Sequence, residues 1–176
     1  MSTLYVDNIY SKTGTSQAID IDSSGRVFTP ARPAFKVTTA TTQSISNATY
    51  TKMQWTTTAF DIGSDFDLTN NEFVVPVDGI YDISVLVRGT GTQGTLDMMT
   101  VRLDIANSSG TTLYAVDLIQ MHPMANQLEN SHLGGATLLD LNATEKVSVE
   151  VRIDGSATTI GSASGQYNWF CGYLVG

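Results

Sequence analysis

The chain has 176 residues, a formal net charge of −8 and only 15% charged side chains, against roughly 25% in an average domain. That length suits one domain with a real hydrophobic core, plus an arm of about 30 to 40 residues. Nine basic residues scattered singly form no stripe for nucleic acid and no patch for anionic membranes. No apolar run reaches transmembrane length, and MSTLYVDNIY lacks the basic and apolar regions of a signal peptide. The expectation is a protein made in a cytoplasm that stays there or leaves as part of something larger.

The first 33 residues read as an arm. LYVDNIY is a short strand-like run, SKTGTSQ a loop, and IDIDSSGRVFTP a small hairpin turning at Ser23-Ser24-Gly25. Pro30-Ala31-Arg32-Pro33 is a stiff, extended joint, because each proline fixes its own φ and biases its predecessor. So little apolar surface does not fold alone. The arm either pairs with another chain through Leu4, Val6, Ile9, Ile19, Ile21 and Val27, or folds back on its own domain.

From residue 34 onward period-2 alternation dominates. In 81–87, Tyr81, Ile83, Val85 and Val87 alternate with Asp82, Ser84 and Leu86. The same pattern holds in 99–105 and 147–153, and further strands are expected at 34–39, 50–56, 72–77, 113–120, 136–141 and 167–175. Turn signals separate them at Ile62-Gly63-Ser64, Asp78-Gly79, Ser109-Gly110, Gly134-Gly135, Asp154-Gly155 and Ser164-Gly165. Helical periodicity is absent, apart from room for one short turn in 124–132. The pattern implies an all-β fold, an antiparallel jelly-roll β-sandwich over 34–176 with a short N-terminal β-arm over 1–33. Phe73, Tyr81, Ile83, Val85, Val101, Leu103, Val149, Val151 and Phe170 form the expected core.

Sites of chemistry are scarce. His122 and His132 have no metal-ligand or nucleophile spacing and read as surface or interface residues. Gly89, Gly91 and Gly94 lead into a strand, so RGTGTQGT reads as a hairpin tip and not a phosphate cradle. Cys171 sits in an apolar-aromatic run and reads as a small buried hydrophobe. The loop FDIGSDFDLTNNE is a solvated acidic loop, with Asp61, Asp65 and Asp67 as a weak calcium alternative. No acid pair or nucleophile marks an enzyme such as a glycan depolymerase, and no cofactor is implied. The last strand carries Tyr167, Trp169, Phe170 and Tyr173 within seven residues, too many aromatics for one small core, so some face a neighbouring subunit.

Two resemblances follow. Phe73, Pro76, Gly79 and Tyr81 match an F-x-x-P-x-x-G-x-Y signature, PAFKVTTA resembles a first strand, and QYNWFCGYLVG a last strand. Together residues 33–176 resemble the globular head of complement component 1q and its tumour-necrosis-factor-like relatives. That resemblance implies a compact homotrimer around an aromatic face, and calcium in loops of some relatives. The opening, with Leu4, Val6, Asp7, Ile9, Ile21, Asp22, Gly25, Arg26 and Val27, resembles that of structural proteins of tailed bacteriophages, cyanophages among them. It implies a virion location and an arm attached to the major capsid protein or another virion protein. The expected function is a capsid decoration, or cement, protein without enzymatic activity. The alternative is a tail-fibre tip whose loops 89–96 and 122–135 contact a host surface glycan.

Overall fold

A computed structural model describes residues 6, 8–10, 17–90, 96–121, 130–155, 159–161 and 167–176. Leu4, Asp7, Gly91, Gly94, His122, the turn at Ser164-Gly165 and most of both expected tip loops lie outside the described residues.

The arm folds as a sheet of its own. Strands β1 (Asn8–Tyr10), β2 (Gln17–Ile21) and β3 (Val27–Phe28) pair antiparallel in that order. The turn between β2 and β3 falls where Asp22 and Gly25 stand. The Asp22 carboxylate accepts the backbone N–H groups of Ser24 and Arg26, each at 2.9 Å, while Gly25 takes φ 77°. Among the described residues no strand of this small sheet pairs with a strand of the head.

The head begins with β4 (Ala34–Thr38), β5 (Thr42–Ser44), β6 (Thr51–Lys52), β7 (Thr57–Ile62), β8 (Phe66–Asp67) and β9 (Glu72–Val74). Longer strands follow: β10 (Gly79–Thr90), β11 (Leu96–Ala106), β12 (Thr112–Met121), β13 (Asn130–Leu141) and β14 (Lys146–Gly155), then β15 (Thr159–Gly161) and β16 (Trp169–Leu174). One sheet runs β13–β10–β16–β4–β7, with β15 and β5 continuing it past the end of β16. The other runs β12–β11–β14–β9–β8, with β6 also on β14. All pairings among the described residues are antiparallel, and the two sheets form the expected jelly-roll sandwich.

Alternation decides which side chains enter the core. All of the expected core residues are buried there. An aromatic cluster joins the sheets: Phe35 stacks on Phe73 at 4.5 Å and meets Phe170 edge-on at 4.9 Å, and Phe73 meets Tyr81 at 5.6 Å. The signature residues have separate tasks. Pro76 follows the end of β9, where no ladder N–H is required. A Cβ at Gly79 would stand 2.7 Å from Leu174 Cδ1 and 3.0 Å from the Gly176 carbonyl. Only glycine lets β10 start against the C-terminus. Tyr81 fills the core and its hydroxyl donates to the Val77 carbonyl at 2.9 Å.

Several expectations are corrected. Gly134-Gly135 is not a turn but lies in mid-β13, opposite Leu86 and Val85. A Cβ on Gly134 would stand 2.5 Å from the Val85 carbonyl, so these glycines serve close strand approach. Residues 130–132, the described end of the expected helical turn, belong to the same strand. The expected strand 50–56 is strand only at Thr51–Lys52, and β5, β7, β8 and β15 were not expected. These are short or exposed strands, where no buried face imposes alternation on the sequence.

Candidate functional site

The outward face of the sheet β13–β10–β16–β4–β7 carries a band of exposed apolar side chains with a few polar groups among them. The register stacks it into rungs. Ile62, Ala34, Tyr173, Asp82 and Leu138 form one, and Phe60, Lys36, Cys171, Ser84 and Ala136 the next. Thr38, Trp169, Leu86 and Gly134 form a third. Leu138 is 62% exposed and Tyr173 and Phe60 each 48%. Ile62 and Ile80 add further exposed apolar surface. A contiguous patch of this kind on a folded domain marks an interaction surface.

The few polar groups on this face are held in place. Tyr173 and Ser84 donate hydroxyl hydrogen bonds to Asp82, both at 3.3 Å. The Lys36 ammonium lies 5.5 Å from the Trp169 ring centre. Burial raises the pKa of the half-buried Cys171 thiol above its ordinary value, which keeps it protonated. Farther along the same strands, Tyr167 packs on His132 at 5.1 Å and on the Arg88 guanidinium at 5.3 Å. An open groove of about 530 Å³ runs from the second rung over the third to His132, lined by Ser84, Ala136, Leu86, Gly134, Trp169 and His132, with Ile119 of β12 at its side.

The outward face of the other sheet has opposite chemistry. Arg102 pairs with Glu150 at 2.6 Å and Arg152 with Asp154 at 2.8 Å. Lys52 and Lys146 both reach Glu72, at 3.3 and 2.8 Å. Tyr50 lies under Arg102 at 3.5 Å. Such a lattice of ion pairs suits water and not a protein interface core.

Of the four expected interface aromatics, Trp169 and Tyr173 point outward from β16, two rungs apart, and Tyr167 just before it packs on His132 and Arg88. Phe170 is the correction. It alternates inward between Phe35, Phe66 and Trp55, is wholly buried in its own head, and has no surface left for a neighbour. Phe60, Ile62, Ile80, Leu86 and Leu138 were missed. Two carried a signal: Leu86 and Leu138 are apolar at positions whose parity points outward.

In the arm, Val6, Ile9 and Val27 are exposed and Ile19 and Ile21 half-buried. A cavity of about 610 Å³ separates arm from head, lined by Asp20, Val27 and Phe28 on one side and Ala34, Ile62 and Tyr173 on the other. The acidic loop uses its carboxylates on its own backbone. Asp61 accepts the N–H groups of Asp65 and Phe66, each at 3.1 Å, and Asp67 those of Thr69 and Asn70 at 2.8 and 3.1 Å. Burial, helped by the Asp61 charge, raises the Asp65 pKa. Among the described residues no three of His, Cys, Asp and Glu lie together as a metal-holding group.

A family model described as the C1q domain matches residues 34–175. The globular domain of the zebrafish complement 1qA protein is 17% identical, with a TM-score of 0.57 over 82% of this chain and 98% of that one. Crystal structures of murine APRIL, at pH 5.0 and pH 8.0, are each 12% identical with a TM-score of 0.59, over 82% of this chain and 99% of theirs. No curated protein sequence matches. At such identities the solved structures speak for the fold, and the match over residues 34–175 makes the chain a member of the C1q domain family.

Proposed function

We propose that this protein is a non-enzymatic virion component: a homotrimer that decorates a phage capsid and is attached through its N-terminal arm. The observation that carries the trimer is the contrast between the two outward faces, one with exposed Phe60, Ile62, Ile80, Leu138 and Tyr173 and the other laced with ion pairs. Burying the apolar face in a closed ring removes it from water and leaves the charged face outside. The virion assignment is supported by the arm's likeness to phage structural proteins. The arm's short strands have open edges that suit pairing with a capsid protein.

Light scattering on the purified chain tests the trimer, and immunogold labelling of purified particles tests the location. Label spread over the capsid is expected. Particles without label sink the virion reading and leave a free trimeric module.

A second reading, the receptor-binding tip of a tail fibre, is favoured by one feature. Tyr167, His132 and Arg88 stand beside the groove at Trp169, a combination of rings and donors that suits a host sugar. Label confined to the tail would select it.

A further inference from the structure

The arm sheet is amphipathic. Its register sets Ile9 opposite Ile19 and Ile21 opposite Val27, so these four aliphatic side chains share one face with no charge among them. Asp20 pairs with Phe28 on the opposite face. Ala18, Asp20 and Phe28 of the opposite face line the cavities between arm and head, and of the aliphatic face only Val27 reaches one of them. On the aliphatic face Ile9 is 44% and Val27 64% exposed, and Ile19 and Ile21 are half-buried. A sheet this small is marginal in water while its apolar side lacks cover.

The position of the arm says what covers it. Its joint is tied to the C-terminal strand. The Leu174 N–H donates to the Pro33 carbonyl at 3.0 Å, and the Arg32 guanidinium donates to the Val175 carbonyl. The head-side wall of the neighbouring cavity is Ala34, Ile62 and Tyr173, one rung of the apolar outward face. The arm therefore leaves the head at the end of the sandwich where that rung lies, with Gly63, Asp65, Pro76 and Val77 lining the second cavity beside it. Three heads joined through the apolar face bring three arms to the same end of the assembly, at a high effective concentration.

We infer that the aliphatic arm face of each copy, Ile9, Ile19, Ile21 and Val27, packs against the same face of the other copies. The arm is thus a second trimerisation element beneath the heads. The inference rests on the homotrimer reading and deepens it: the aliphatic faces are used within the trimer, and the outer strand edges are what remains for a capsid partner.

The test uses full-length chains in a Cys171→Ser background carrying Ile9→Cys, Val27→Cys or, on the opposite face, Phe28→Cys. Light scattering gives the assembly, and mild oxidation followed by a non-reducing gel reads contact between copies. Trimers are expected, with cross-linking of Ile9→Cys or Val27→Cys well above that of Phe28→Cys. Trimers in which neither links more than Phe28→Cys overturn the inference, leave the homotrimer standing, and assign the face to a different protein. Monomers overturn the homotrimer reading and the inference with it. Hydrogen exchange on the Ile21→Asp chain is the second measurement. Exchange in 17–28 should quicken by about tenfold or more while Gly79–Thr90 is unchanged. Unchanged exchange in 17–28 counts against any packing of that face.

Discussion

Leu138→Asp isolates the apolar face. Leu138 is 62% exposed in the single copy, so its replacement removes little that the isolated head relies on, and head stability should move by about 0.5 kcal/mol or less. In the proposed trimer the same side chain is covered. Full burial of a leucine contributes about 1.5–3 kcal/mol, so covering the 62% that remains exposed contributes about 1–2 kcal/mol per copy. Three copies give about 3–6 kcal/mol, or about 10²- to 10⁴-fold in the trimer dissociation constant. The aspartate adds a further cost, because each copy would take a carboxylate out of water beside Asp82. Sedimentation across a dilution series reads the effect, with Leu113→Asp as control: Leu113 is 51% exposed but lies on β12 of the other sheet. The expected result is dissociation of Leu138→Asp at concentrations where wild type and Leu113→Asp remain assembled. Equal behaviour of the two variants, with both folds intact, would refute the assignment of this face.

Three further outcomes are expected. Phe170→Ala opens a cavity among Phe35, Trp55 and Phe66 and should lower stability by about 3–5 kcal/mol in chemical denaturation. Gly134→Ala drives a methyl to 2.5 Å from the Val85 carbonyl and should cost about 1–3 kcal/mol by the same assay, with strand spacing at β10–β13 perturbed. Asp65 has its pKa raised in the fold, so its ionised form is the disfavoured one. The penalty is present above that raised value and is relieved as pH falls through it toward the unfolded value. Asp65→Asn should therefore raise the melting temperature slightly at neutral pH, and the gain should shrink on acidification. A gain that grows with acidification contradicts the assigned cause.

The long strands were legible because burial on one side writes alternation into the sequence. Tyr81, Ile83, Val85 and Val87 point inward, as do Val147, Val149, Val151 and Ile153. The short strands were not legible, because β7 is exposed along nearly its whole length and β8 is two residues long. Gly134-Gly135 misled for a physical reason: glycine allows a turn and also allows close strand approach, and the sequence does not distinguish them. Phe170 was placed both in the core and among the aromatics that face a neighbour. Parity with Trp169 and Cys171 resolves that, since adjacent residues in a strand cannot share a face.

The candidate site was half legible for the same reason. A composition argument found surplus aromatics in the last strand. The rest of the face required register: Phe60, Lys36, Cys171, Ser84 and Ala136 come from five strands and meet only once the sheet order is known. What the sequence did contain was an exception to its own rule. Polar side chains occupy the outward positions of β11 and β14, as in Arg102, Glu150 and Arg152. The outward positions of β10, β13 and β16 include Leu86, Leu138, Trp169 and Tyr173 beside the polar Asp82 and Ser84. A strand that is apolar on both sides is covered on both sides. In a two-layer sandwich a second cover comes from outside the chain, so these departures from alternation support the proposed contact between copies.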